Sequence, residues 1–256
     1  MKAVVLKKYG NAADAFSYTE VNEPVVGNDQ VKIKVEAFGL NFADVMARKG
    51  LYRDAPALPA VLGYEVVGKV VEQGSNVKKN FIGTRVVGFS RFGGYAEYAV
   101  TSHMAVVPVS ETDEAGKLLA LATQYCTAYY AAFVATTVQP GDVVLQHAAA
   151  GGVGTALTQL CNLRGAGVIG LTGSDAKKPY LTENGCLEAI NYKKEDYAGV
   201  IAKKYKAVDI SFNSVAGSTF KKDSGLLNKG GRLVCYGAAE RMNGKFGFLS
   251  TLGFVF

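Results

Sequence analysis

The chain has 256 residues, 49% of them hydrophobic and 20% charged, a balance that excludes disorder and leaves room for one large core or two modest ones. Its formal net charge of +6 is uneven, since residues 139–256 hold 14 Lys+Arg against 9 Asp+Glu while residues 1–138 hold 14 against 13. Positive charge thus gathers in the second half, where it suits a phosphate-rich ligand or forms solvated helix faces; no nucleic-acid-binding motif accompanies it, so nucleic acid is not an expected partner.

The amino-terminal run MKAVVLKKYG lacks the apolar core of a secretory signal, and Cys126, Cys161, Cys186 and Cys235 stand singly with no CxxC pair. A reducing, cytoplasmic setting is expected, with no zinc lobe and no disulfide framework. Residues 1–110 read as β-rich. Apolar side chains alternate over 31–40, paired valines mark 65–74 and 84–90, and strand-like runs follow over 95–102 and 104–110. Short strands at this spacing suggest a partly open barrel, interrupted by a helix that starts near Asn41 and by a loop over 50–63. Helical patterns run from about 112 to 137. No charged residue occurs from 118 to 141, a span long enough for a membrane helix, but its Thr, Tyr and Gln content fits buried helices better. Gln139-Pro140-Gly141 then breaks the chain.

The second half is organised around 142–163, DVVLQHAAAGGVGTALTQLCNL, where an apolar run enters a glycine-rich turn and leaves as an amphipathic helix. Val143 to Leu145 predict a buried parallel strand. Gly151, Gly152 and Gly154 let backbone N–H groups approach an anion, and the helix from Val153 points its positive end at the same place. The spacing departs from G-x-G-x-x-G because Ala149 takes the first position, so a ligand-free strand-to-helix turn is the competing reading. Context favours the dinucleotide. Strand-like runs over 168–173, 189–192, 207–214 and 231–237 alternate with helix-length segments, which predicts a doubly wound α/β Rossmann domain.

Taken in order, 39–52 (GLNFADVMARKGLY), 61–71, 93–98 (GGYAEY), 127–131 (TAYYA), 147–154 (HAAAGGVG) and 189–192 (AINY) resemble the medium-chain dehydrogenase/reductases, specifically their zinc-free quinone oxidoreductase branch. Within it, NFADVMARKGLY most resembles the VAT-1 subgroup. The resemblance implies a GroES-like substrate domain over 1–115 and an NADP-binding Rossmann domain over 116–256. It also implies a longer chain, because the family's sheet carries a sixth strand and its dimers pair along that edge. By this comparison the sequence stops soon after the fifth strand, in an apolar tail over 246–256.

Zinc-containing relatives hold metal at positions that here carry Asn41, Tyr64 and, approximately, Thr123; none is a good zinc ligand, and Asp44 and Glu65 match supporting positions without a metal to support. The resemblance therefore implies hydride transfer from NADPH to a quinone or another α,β-unsaturated carbonyl. Asn41, Tyr52 and Tyr64 are the candidates to stabilise the developing oxyanion or deliver the proton, although Tyr52 could serve only to pack its loop and Tyr64 only to fill the vacated pocket. For the cofactor, the resemblance assigns Gly173, Ser174, Lys177 and Tyr192 to a 2′-phosphate pocket. It places Thr127, Asn213, Tyr236 and Gly237 along the nicotinamide side, with Gly151, Gly152, Val153 and Gly154 under the pyrophosphate. Asp175 is the residue that could reverse the preference for NADPH, and Lys177 could be an ordinary exposed lysine. A non-catalytic, NADPH-binding trafficking protein that associates peripherally with membranes is the alternative that the VAT-1 resemblance leaves open. His103 and His147 read as a barrel-surface residue and a packed strand-end residue.

Overall fold

The computed structural model describes residues 1–243 and divides into two compact units, Met1–Thr123 and the chain from Gln124 onward. The division falls later than 115/116 because the helix Ala115–Ala120 packs Leu118 and Leu119 against Val67 and Val87 of the first unit.

The first unit contains β1 (Lys2–Leu6), β2 (Phe16–Glu20), β3 (Gln30–Phe38), β4 (Ala60–Val61), β5 (Glu65–Gln73), β6 (Arg85–Phe89), β7 (Tyr98–Ser102) and β8 (Val106–Pro108). They form two antiparallel sheets, ordered β2-β1-β4 and β7-β3-β5-β6-β8. Alternation in β3 turns Val31 and Ile33 into a core shared with Val66, Val70, Val86, Ala99 and Val106, while Lys32 pairs with Glu72 at 2.7 Å. A second cluster of Leu6, Ala15, Ala47, Ala60, Leu62 and Tyr95 seats the helix Phe42–Arg48. This is the half-barrel of a GroES-like domain.

The second unit contains β9 (Val143–Gln146), β10 (Gly167–Thr172), β11 (Glu188–Asn191), β12 (Val208–Asn213) and β13 (Leu227–Cys235), all parallel in the order β11-β10-β9-β12-β13. Strands covered on both faces bury side chains on each, and successive residues of β9 show it. Val144 joins one core with Ala156, Leu157 and Cys161 of the helix Gly152–Leu163, and Leu145 joins the other with Tyr197 and Ile201 of the helix Tyr197–Lys204. The sheet is a doubly wound Rossmann-like fold with β9 at its centre.

Helical structure over Ala115–Ala135 passes through wide π-type turns at Leu121–Tyr125 and Tyr130–Ala135. By length and composition it could cross a membrane. The expectation of buried helices holds for one face only: Ala128, Ala131 and Ala132 are buried, whereas Leu121, Tyr129, Tyr130 and Val134 are exposed. All four cysteines are free. The apolar tail over 246–256, and with it any sixth strand, lies outside the described residues.

Candidate functional site

The turn after β9 is built for close approach. A Cβ on Gly154 would lie 2.4 Å from Ala148 O and 2.7 Å from Ala149 Cα, so this glycine is what lets the helix start against the strand. Gly151 caps the helix from extended backbone without a side-chain cap, and Thr155 N–H donates to Gly151 O at 2.8 Å. Among the described residues, the amides of Gly152, Val153 and Gly154 find no protein acceptor, as the first turn of a helix requires, and the first turn carries no acidic residue. Val153 packs on the core beneath, and Gly151 and Gly152 are exposed above it. The arrangement presents donors and a positive helix end to an anion.

At the next crevice, the exits of β10 and β11 carry Gly173, Ser174, Lys177 and Tyr192. The structure brings these four predicted residues together. A Cβ on Gly173 would meet Tyr192 Oη at 2.8 Å, and Tyr192 N–H donates to Thr172 O at 3.1 Å. Lys177 is exposed, ends a short turn of helix over Asp175–Lys177 capped by Ser174, and has no carboxylate partner among the described residues. Asp175 is held below the usual carboxylate range by hydrogen bonds from Lys194 and Asn191.

Beyond the switch point the exits of β12 and β13 are tied together. Asn213, expected on the nicotinamide side, is wholly buried: its Nδ2 donates to Thr219 Oγ1 and Asp223 Oδ2, each at 2.8 Å, and its Oδ1 accepts from Val215 and Ala216 N–H. Its side chain shapes the loop after β12. Asp223, which sequence reasoning missed, is fully buried and also receives Ser211 Oγ at 2.7 Å and Tyr197 Oη at 2.8 Å, with His147 Nε2 2.9 Å away. Burial alone would raise its pKa, but these partners hold it below the ordinary value. Tyr236 Oη accepts from Gln146 Nε2 at 2.8 Å, and a Cβ on Gly237 would lie 2.7 Å from Ser214 O. Thr127 is half-buried on the short helix Cys126–Tyr129.

In the first unit, two of the three positions that the sequence comparison set apart, Asn41 and Thr123, converge on one carboxylate. Asn41 Nδ2 donates to Glu65 Oε1 and Oε2 at 2.8 and 2.7 Å, and Thr123 Oγ1 donates to Oε2 at 2.5 Å. Gly39 leaves the space, because a Cβ there would fall 1.8 Å from Glu65 Oε1. Asp44 accepts from Asn41 N–H at 2.9 Å and Gly63 N–H at 3.1 Å, and also hydrogen-bonds Tyr95. Burial pushes both carboxyl groups up, and the hydrogen bonds only partly offset it. Tyr64 is buried beside Phe89 and Phe92, edge-on to Tyr52 with ring centres 6.2 Å apart. Burial and the hydrogen bond with Tyr52 raise its pKa, so the phenol keeps its proton. Among the described residues, no group of three His, Cys, Asp or Glu side chains is placed to hold a metal ion.

A GroES-like β unit followed by a Rossmann-like sheet with a glycine turn after its central strand defines the two-domain architecture of dinucleotide-dependent dehydrogenases. Residues 27–111 match the family described as Alcohol dehydrogenase GroES-like domain, and residues 152–252 match that described as Zinc-binding dehydrogenase. Quinone oxidoreductase of Mus musculus is 34% identical over 242 residues, covering 93% of this chain and 73% of that protein. The synaptic vesicle membrane protein VAT-1 homolog of Homo sapiens is 38% identical over 223 residues; the match takes in 86% of this chain but only 56% of that protein, little more than half its length. The structure of Escherichia coli quinone oxidoreductase complexed with NADPH is similar with a TM-score of 0.87 and 28% identity, over 93% of this chain and 73% of that one. The chain belongs to the medium-chain dehydrogenase/reductase family, with VAT-1 homologues and quinone oxidoreductases among its relatives.

Proposed function

We propose that the chain binds NADPH through its second unit and serves as an oxidoreductase that passes hydride to quinones or other α,β-unsaturated carbonyls without zinc. The observation that carries this reading is the pairing of the Gly154 close approach with a lysine-rich β10 exit whose nearby carboxylates, Asp175 and Glu195, are already bonded. NADPH, when bound, supplies the hydride. The free amides of Gly152, Val153 and Gly154 would take the pyrophosphate, while Gly173, Ser174, Lys177 and Tyr192 would take the 2′-phosphate. Tyr236, Gly237 and Thr127 would line the nicotinamide end.

On the substrate side, Asn41 has its amide committed to Glu65, which leaves the hydrogen-bonded Tyr52 and Tyr64 as the better donors to a carbonyl oxygen that gains charge. Zinc independence is supported by the donor set, since Asn41, Tyr64 and Thr123 offer no thiolate or imidazole. Consumption of NADPH with a small quinone tests the reading. Turnover unaffected by a chelator is expected, and loss of turnover on chelation would contradict the zinc-free assignment.

A second reading, a non-catalytic NADPH-binding protein that associates with membranes, draws on the likeness to VAT-1 homologues and on the exposed Leu121, Tyr129, Tyr130 and Val134. Tight NADPH binding with no turnover of any quinone or enone would favour it over the first.

A further inference from the structure

The residue that follows Ser174 at the β10 exit is an aspartate, in the region where a free carboxylate accepts the ribose 2′-hydroxyl of NADH and repels the 2′-phosphate of NADPH. Asp175 is not free. Its Oδ1 accepts from Asn191 Nδ2 at 2.8 Å and its Oδ2 accepts from Lys194 Nζ at 2.5 Å. Both partners come from the exit of β11, the neighbouring strand.

Asn191 is a rigid anchor rather than a surface contact. It is 2% exposed, and its Oδ1 accepts from Lys193 N–H at 3.1 Å, which fixes the amide so that Nδ2 must face Asp175. Its own N–H donates to Glu195 Oε1 at 3.0 Å, and the same oxygen receives Lys178 Nζ at 2.6 Å. The two carboxylates of this corner, Asp175 and Glu195, are thereby matched to Lys194 and Lys178. Lys177 and Lys193 keep their ammonium groups without a carboxylate partner among the described residues, so the corner is left with positive charge to spend on an anion.

We propose that Asn191 and Lys194 are positioning residues that hold the Asp175 carboxylate toward β11 and so set the choice of a nucleotide bearing a 2′-phosphate over one bearing a 2′-hydroxyl. The proposal rests on the NADPH reading given above and adds its cause. With the clamp intact, Asp175 is neutralised and turned away; with the clamp broken, the carboxylate is free to rotate toward the ribose, where it repels phosphate and accepts a hydroxyl proton.

The test is direct titration of NADPH and NADH, followed by nicotinamide fluorescence, against the wild-type chain, Asn191→Ala and Lys194→Ala, each with and without Asp175→Asn. Either single clamp variant is expected to lower the ratio of NADPH to NADH affinity by about two- to fivefold, the size of a contact between exposed charges. Adding Asp175→Asn is expected to return the ratio to the wild-type value, because the carboxylate that does the repelling is then absent. A ratio that falls and is not restored would mean that Asn191 and Lys194 act on the phosphate themselves, and would overturn the clamp. An unchanged ratio in a chain that does prefer NADPH would overturn the clamp alone, whereas a wild-type chain with no preference would overturn the NADPH reading and the clamp together. Lys194 is a solvent-facing side chain with 69% exposure, so its pair of variants decides the matter if Asn191→Ala does not fold.

Discussion

Replacing Gly154 with alanine probes the geometry on which the cofactor reading depends. The added Cβ would stand 2.4 Å from Ala148 O, 2.7 Å from Ala149 Cα and 2.8 Å from Ala149 O. All three are backbone atoms of the turn, so none can swing aside as a side chain would. Alanine gains about 1 kcal/mol over glycine in helix propensity. Overpacking costs about 1–3 kcal/mol, and three backbone contacts this short put the variant at the upper end. A net loss of about 1–2 kcal/mol follows, a fall in Tm of about 2–8 °C for a domain of this size. The helix can relieve the clash only by backing away from the strand, which also withdraws its first amides from the anion they would bind, so NADPH affinity should fall about tenfold, or 1.4 kcal/mol. Gly151→Ala is the control. Its Cβ would come no closer than 3.2 Å to Ala148 O, and its Tm should stay within about 2 °C of wild type. Thermal melts and NADPH titrations of the two variants are the assay; a Gly154→Ala chain as stable and as tight-binding as wild type would refute the reasoning.

Further predictions concern the buried carboxylates of each unit. Glu65 titrates above the usual carboxylate range because of burial, so its contribution to stability is full below that range and is lost as pH rises through the raised value. Wild-type Tm relative to Glu65→Gln should therefore fall as pH rises above the ordinary Glu value of about 4.3, and a difference that stays flat would contradict the assignment. Asp223 has the opposite sign, with stability present above the ordinary Asp value and lost as pH drops through its lowered one. Asp223→Ala leaves the donors of Ser211, Tyr197 and Asn213, and the His147 ring, without their partner. Breaking a buried charged network costs about 3–5 kcal/mol, so Tm should fall by more than about 6 °C, and a change under about 2 °C would show that the network does not hold the unit together.

What the sequence reveals about this fold follows from which interactions are local. The strands β9, β10 and β12 are legible because burial on both faces favours largely apolar runs, and the helix Phe42–Arg48 because Asn41 starts it. The strands β1, β2 and β4 are not. β4 has two residues, lies within the loop expected over 50–63, and exists only because β1 pairs with it through Val5 and Leu6. At the site, the glycines speak for themselves, since Gly154 and Gly173 are forced by neighbours one turn or one strand away. Partners distant along the chain do not. Asn41 reads as a free amide until Glu65 is seen to take it, Asn213 reads as a ligand contact until Asp223 and the loop N–H groups occupy it, and Asp175 reads as a residue that favours NADH until Asn191 and Lys194 bind it. The turn before Gly151 also hides a conformation that no pattern announces, Ala148 at φ +48°.

Titration of NADPH and NADH against the wild-type chain and Lys177→Ala tests the central claim most directly. Saturable binding of both, tighter for NADPH, with the substitution weakening NADPH more than NADH, is the result predicted from an unpaired ammonium at the β10 exit. No binding, or equal losses for the two nucleotides, would contradict it.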